Sequence, residues 1–209
     1  MVREKPSAAT PPDDKVIRHF EHLITTAPTA VQRCCAGFLT LLAFSSSRTA
    51  DLLRSRDLTL TRDSLTGESI MKQPKGVWVR WFAPRRSPVS DDWAGSWLDE
   101  LQRCGLPGSD YVLAGVNQAL DAWSPRMATY NDVKHVFRAM LRTQCGFSVA
   151  EAAKSTPHGF RHVLVSAGAQ LRRLGSVETR GLETLGHWTP GSIEPEQYES
   201  FSGVPKLDT

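Results

Sequence analysis

The apolar positions in the first quarter of the chain recur at helical spacing. Asp13 and Asp14 suit an N-cap and a first helical turn. We expect a second, long helix from about Thr29 to Phe44, whose residues are mostly apolar, and a short helix that follows Arg48 and ends at Leu53. The long helix is apolar on all sides, which predicts that it lies in the core. The first helix carries its apolar residues on one face: Val16, Ile17, Phe20, Leu23 and Ile24.

The hydrophobic period then changes to that of β-strands. Three short segments, 58–60, 68–71 and 77–82, have strand character. Turn residues separate them at 64–67 and at 73–76. The pattern predicts three short antiparallel strands.

Helical periodicity resumes in the second half of the chain. Ser148 and Glu151 form a capping box, Asn131 suits an N-cap, and Gly175–Ser176 ends one helix and caps the next. The predicted fold class is therefore mainly α with a small three-stranded antiparallel β-sheet inserted near its start (α+β). The predicted helices of this half cover roughly 90–104, 131–145, 149–154, 158–174, 177–186 and 193–201.

Composition narrows the class of protein. Of the 209 residues, 40% are hydrophobic and 22% charged, as in an ordinary globular protein. No segment approaches the roughly 20 apolar residues of a membrane span, and the N-terminus lacks the apolar stretch of a secretory signal. The four cysteines, with Cys34 and Cys35 adjacent, fit neither a disulfide framework nor a paired zinc motif. We therefore expect an intracellular protein with a flexible leader at 1–14 and a short tail at 204–209.

The net charge of +3 is unevenly distributed. Residues 48–86 hold nine Lys and Arg against four Asp and Glu, and residues 126–180 hold nine against three. Residues 87–125 and 181–209 are acidic. The two basic blocks could fold into one positive face that attracts a polyanion. Solvated charges without a partner are the alternative that this pattern leaves open.

Five short segments contain polar residues that folding alone does not require. Ser47–Asp51 follows the long apolar helix, and Lys72 ends a predicted strand. His158–His162 opens a helix after a proline, Leu185–Trp188 follows after about one helical hairpin, and Tyr198 lies in the last predicted helix. Each segment alone is a weak signal, but their order along the chain is specific.

Taken in this order, the segments resemble the catalytic domain of the tyrosine recombinases, the phage-integrase family. The family's pattern is an Arg with an acidic residue three positions later, a hairpin Lys, a His-x-x-Arg, a Leu-Gly-His and a Tyr. The resemblance implies a catalytic domain over residues 15–203, without the family's N-terminal core-binding domain. It also implies that Asp51 holds a guanidinium in position without touching DNA. The implied catalytic residues are Arg48, Lys72, His158, Arg161, His187 and Tyr198.

The chemistry implied by the resemblance is transesterification at a DNA phosphodiester. The two arginines would neutralise the non-bridging oxygens of a pentacoordinate transition state. The two histidines would add donors and manage protons. Tyr198 would attack and form a 3′-phosphotyrosyl link, and Lys72 would protonate the leaving 5′-oxygen. No metal, ATP or other cofactor is expected.

Some positions carry alternatives. Lys75 lies at the same predicted hairpin as Lys72. Tyr198 follows His187 by eleven residues, a longer interval than is usual in the family, but the two other tyrosines precede the His-x-x-Arg motif. We interpret His162 as a packing or supporting residue, since the His-Glu-x-x-His pattern of a zinc site is missing.

The implied function is that of a site-specific DNA recombinase, an integrase or a transposon enzyme. Its partner would be double-stranded DNA, on which it would self-associate as a dimer or tetramer. Because few residues follow Tyr198, we expect a monomer in isolation. A type IB topoisomerase-like nicking and rejoining enzyme, and a domesticated DNA-binding protein without catalysis, are the alternative functions. In each case the protein would be DNA-associated and would have no membrane partner.

Overall fold

Along the chain, helices precede and follow a small three-stranded sheet. The computed structural model describes residues 12–70, 78–106, 111–164 and 167. No helix within these ranges is long and apolar enough to cross a membrane. The elements are α1 (Asp14–Thr26), α2 (Ala30–Ser45), α3 (Thr49–Leu52), β1 (Ser55–Leu60), β2 (Ser64–Ile70), β3 (Trp78–Pro84), α4 (Trp93–Arg103), β4 (Ala114–Val116), β5 (Trp123–Met127), α5 (Tyr130–Gln144), α6 (Val149–Lys154) and a 3₁₀ helix (Pro157–His162).

Side-chain caps set the starts of the first two helices. Asp13 accepts a hydrogen bond from the amide of Lys15 (2.9 Å), and Thr29 accepts one from an amide in the first turn of α2 (3.1 Å). Ala27 is extended (φ −61°, ψ 145°) because it precedes Pro28, which disfavours a helical backbone before it, so α1 ends there. The predicted start of α1 and both predicted ends of α2 are confirmed to within a residue or two.

The core is built around α2, whose residues are buried on nearly every side. Gly37 allows α4 to approach closely, since a Cβ at this position would lie 2.0 Å from Cδ1 of Trp97. The indole Nε1 of Trp97 donates a hydrogen bond to the carbonyl of Cys34 (2.9 Å). Cys34 and Cys35 are fully buried as predicted, and burial raises the pKa of both thiols. They act as small apolar core residues.

A three-stranded antiparallel sheet in the order β1-β2-β3 follows, as predicted. Trp81 and Ala83 are buried, whereas Arg80 and Phe82 face outward, which is the period-two alternation of a half-buried strand. Gly67 pairs with Trp81 across the sheet, and a Cβ there would lie 2.6 Å from the indole ring. The turn predicted at 64–67 is wrong, because these residues lie inside β2, and residues 61–63 join β1 to β2 instead. The predicted turn at 73–76 lies outside the described residues.

Two features of the second half differ from the sequence-based expectation. The sequence pattern predicts no element at the hairpin of β4 and β5, because both strands are short and one contains Pro125. The N-cap of α5 is Thr129 rather than Asn131. Thr129 forms a capping box with Asp132, and Arg126 donates two hydrogen bonds to the same carboxylate (2.7 and 2.8 Å). Asn131 is therefore already inside the first turn.

The last described elements match their predictions in part. The capping box of Ser148 and Glu151 opens α6 as expected. The helix predicted over 158–174 begins as a 3₁₀ helix at Pro157, and residues 163 and 164 continue in α-helical conformation. The helices predicted over 177–186 and 193–201, and the cap at 175–176, lie outside the described residues.

We predict that Gly37→Ala destabilises the protein. The new methyl group would overlap the Trp97 ring, so α2 and α4 must separate, which typically costs about 1–3 kcal/mol. Urea denaturation followed by tryptophan fluorescence measures the change in the free energy of unfolding. An unchanged denaturation midpoint would contradict the close helix contact.

Candidate active site

The 3₁₀ helix is anchored by the aromatic side chain in its middle. Phe160 is fully buried, and its ring centroid lies 5.0 Å from that of Phe137 in α5 and 6.3 Å from that of Phe20 in α1. Residues i and i+3 eclipse in a 3₁₀ helix, so His158 and Arg161 lie along the same edge. The buried aromatic contact thereby fixes the position of the His-x-x-Arg motif.

Arg48 is positioned by the way α2 ends. Ser46 adopts a left-handed backbone (φ 51°), which stops the helix. Arg48 then occupies the N-cap position of α3 in an extended conformation, with its side chain 54% exposed. Its guanidinium lies 3.9 Å from the carboxylate of Asp51, which is an ion pair longer than a hydrogen bond.

These two segments meet at one small cleft. Arg48 and Arg161 both line it, although they lie 113 positions apart in the chain. Its volume of about 50 Å³ is far below the roughly 300–1,000 Å³ of a small-molecule pocket. The cleft therefore suits a single charged group presented by a larger partner. Its lining residues are Ser46, Ser47, Arg48, Asp51, Ser69, Val79, Trp81 and Arg161.

The sheet side of the cleft rests on a buried chain of hydrogen bonds. The indole of Trp81 donates to the hydroxyl of Ser55 (2.8 Å), and the hydroxyls of Ser55 and Ser69 are hydrogen-bonded at 2.6 Å. An indole is only a donor, and its partner hydroxyl is needed to satisfy it. These hydrogen bonds hold the side of the cleft that β2 and β3 form in a defined geometry.

The positive charge around the cleft acts on the two neighbouring histidines. Partial burial, and then the charges of Arg161 and Arg48, lower the pKa of His158. His162 is buried, and its ring lies 5.3 Å from that of His158. Burial, together with His158 and Arg161, lowers the pKa of His162 to about 4. Both rings are thus neutral near pH 7, when an imidazole has one donor and one acceptor nitrogen.

The structure brings four of the predicted residues into one neighbourhood: Arg48, Asp51, His158 and Arg161. The other predicted residues lie outside the described part of the chain, and their roles stay predictions: Lys72, its alternative Lys75, His187 and Tyr198. Within the described ranges, no group of three or more His, Cys, Asp or Glu side chains is placed to hold a metal ion.

Sequence reasoning missed several residues of the cleft. Arg54 donates a hydrogen bond to Asp51 (3.2 Å), and its spacing of three residues from that aspartate was an available signal. Ser46, Ser69 and Trp81 also line the cleft. No local pattern marks Ser69 or Trp81, because their place depends on the pairing of β2 with β3.

Comparisons with known proteins support the fold. No family model matches the chain, and no curated protein matches it. Among solved structures, it is similar to the XerH site-specific recombinase bound to palindromic difH substrate in a post-cleavage complex. The TM-score is 0.52 at 15% sequence identity, and the match covers 88% of this chain and 52% of the other. The chain thus spans about half the length of that recombinase.

The similarity establishes the fold class. The molecule is mainly helical with one small three-stranded antiparallel sheet, the α+β fold of a tyrosine recombinase catalytic domain, and the predicted fold class is confirmed. The relationship to the recombinases is shown at the level of the fold.

We predict that His162 makes folding sensitive to acid. Its pKa is about 4 when folded and near 6.5 in an unfolded chain, so the neutral ring stabilises the fold above pH 6.5. This contribution, on the order of 3 kcal/mol, is lost as the pH falls from 6.5 through 4. The measurement is the free energy of unfolding against pH for wild type, His162→Phe and His162→Gln.

Both variants should show a weaker loss of stability over this range than wild type does. Equal slopes in all three proteins would show that the protonation of His162 is not linked to folding.

Proposed function

We propose that this chain is the catalytic domain of a site-specific DNA recombinase that cleaves and rejoins strands through a tyrosine. One observation carries the proposal. Two arginines from distant segments, Arg48 and Arg161, line one small cleft, and the charges of both act on His158. A simple positive surface would bind DNA without such convergence, since neutralising phosphates needs charge but no fixed constellation.

The cleft suits the transition state of phosphoryl transfer. In-line attack on a phosphodiester places additional negative charge on the non-bridging oxygens. Arg48 and Arg161 can each donate paired, permanently charged hydrogen bonds to such oxygens. The neutral ring of His158 can add a donor or accept a proton. The guanidiniums would supply the charge that a metal ion supplies in other phosphoryl-transfer sites.

The remaining steps are assigned by the motif. The phenol oxygen of Tyr198 forms the bond to phosphorus as the bond to the 5′-oxygen breaks. The phenol would give its proton to the neutral ring of His158, and the 5′-oxygen would gain one from Lys72, with Lys75 as the alternative. His187 would donate a further hydrogen bond to the phosphate. The energy of the broken bond is kept in the phosphotyrosyl link, so rejoining would need no ATP.

The wider assignments follow from this proposal. Residues 15–203 would form the catalytic domain, flanked by 1–14 and 204–209. The partner would be double-stranded DNA, with self-association on it. The XerH structure is a complex with a DNA substrate, which supports DNA as the partner here.

We predict that the protein forms a covalent adduct with DNA through Tyr198. The full chain is incubated with nicked duplexes of randomised sequence, so that the short fragment carrying the freed 5′-hydroxyl dissociates after cleavage and the adduct is trapped. Denaturing electrophoresis should show a slower protein band in wild type that is absent in Tyr198→Phe. Tyr130→Phe, which removes the same hydroxyl from an exposed tyrosine, is the matched control and should keep the band.

Sequencing the captured DNA separates the related functions. Enrichment of one sequence supports a site-specific recombinase, whereas capture without sequence preference supports the topoisomerase-like alternative. An adduct that persists in Tyr198→Phe would overturn the assignment of the nucleophile. Binding without any adduct would identify a non-catalytic DNA-binding protein.

We predict that Arg161→Ala separates cleavage from binding. The lost guanidinium acts on the transition state, so the cleavage rate should fall by about 10²–10³-fold, as when a donor of an oxyanion hole is removed. Other basic residues still neutralise phosphates, so DNA affinity should fall only a few-fold. Single-turnover cleavage and fluorescence anisotropy measure the two quantities. Equal factors in both would contradict the role of Arg161.

A further inference from the structure

The carboxylate of Asp51 is shared unequally between two guanidiniums. Its Oδ1 accepts a hydrogen bond from NH2 of Arg54 at 3.2 Å, whereas its Oδ2 lies 3.9 Å from NH1 of Arg48. The side chains of Asp51 and Arg54 are only 14% and 25% exposed, against 54% for Arg48. Less contact with water strengthens an ion pair. Arg54, which lies outside the predicted catalytic set, is therefore the stronger partner of this aspartate.

Arg54 is itself held at a second point. Its Nε donates a hydrogen bond to the carbonyl of Ile70, the last residue of β2, at 3.1 Å. A planar guanidinium with two fixed contacts has little rotational freedom. The sheet, acting through Arg54, thus fixes the position of the Asp51 carboxylate in the cleft.

This arrangement has a consequence for Arg48. A carboxylate without another partner would be free to rotate toward that guanidinium and form a paired contact of about 2.7–2.9 Å. Such a contact would occupy the N–H groups that line the cleft and compete with an incoming anion. At the observed separation of 3.9 Å, the carboxylate attracts the Arg48 guanidinium by its charge but accepts no hydrogen bond from it.

We propose that Arg54 is a positioning residue of the active site. It restrains Asp51 so that Arg48 is oriented toward the cleft while its hydrogen-bond donors stay available to an anion there. The inference rests on the proposed function, since it takes that anion to be a DNA phosphate. It extends the site by one residue and connects it to the end of β2.

The first test compares variants of the full chain in single-turnover cleavage. Arg54→Ala should lower the rate by about 10–100-fold, because a small misplacement of a reacting group can cost this much, and should leave DNA affinity within a few-fold. Arg54→Lys keeps one charged contact and should recover part of the rate. Arg62→Ala removes the same charge from the exposed turn between β1 and β2 and is the matched control. An equal loss in Arg62→Ala would overturn the proposal.

Two double variants test the route through Asp51. If Arg54 acts by restraining this carboxylate, Asp51→Asn should relieve part of the defect of Arg54→Ala, by several-fold. Arg54→Ala should also cost little in an Arg48→Ala background, because residues that act as one unit are not additive. Full additivity in both backgrounds would overturn the proposal. Thermal unfolding of each variant is measured alongside, and a rate loss that follows the unfolded fraction would overturn it too.

A second readout requires neither DNA nor turnover. The Nε–H signal of Arg48 is identified in the NMR spectrum of the free protein by its loss in Arg48→Lys. It should shift in Arg54→Ala, return toward its original position in Arg54→Ala/Asp51→Asn, and stay unchanged in Arg62→Ala. An unshifted signal in Arg54→Ala would overturn the proposal. This readout stays decisive even if no DNA adduct forms, so failure of the strand-cleavage function is distinguishable from failure of the positioning role.

Discussion

Two guanidinium groups of like charge line one small cleft, and the fold has to hold them there against their mutual repulsion. The restraint on each is different. Arg161 is held by its neighbour Phe160, whose ring packs in the core against two other aromatic rings. Arg48 is held by the left-handed end of α2 and by the charge of Asp51. Burial of apolar surface on one side and a shared carboxylate on the other thus stabilise an arrangement that the charges alone would disfavour.

The same charges prepare the cleft for an anion. After burial, they contribute to the lowered pKa of His158 and so favour the neutral imidazole. A phosphate in the cleft would cancel part of the positive potential and favour proton uptake by the ring. Anion binding and the protonation of this histidine would then be coupled, as the proposed function requires of a residue that manages protons.

The sheet contributes more to the site than a support for a hairpin. Its buried face supplies Ser69 and Trp81 to the cleft, held by hydrogen bonds through Ser55. The end of its central strand, at Ile70, fixes Arg54 and through it Asp51. A shift in the register of β2 against β3 would therefore change one side of the cleft and the carboxylate near Arg48 together.

Local patterns in the sequence predicted the positions of the described helices, the caps of α1 and α6, the three strands and the ordered motif residues, because spacing and capping act over a few neighbouring positions. The order of the motifs also marked Arg48 and Arg161 as candidates, through the resemblance to the tyrosine recombinases. The hairpin of β4 and β5 was missed, because its short strands are stabilised by pairing and burial rather than by propensity. Only the tertiary structure decided that the two arginines share a cleft, that Ser69 and Trp81 border it, and that Arg54 holds the aspartate. These contacts join residues that are distant in the chain or whose geometry depends on packing, and no local pattern encodes such distances.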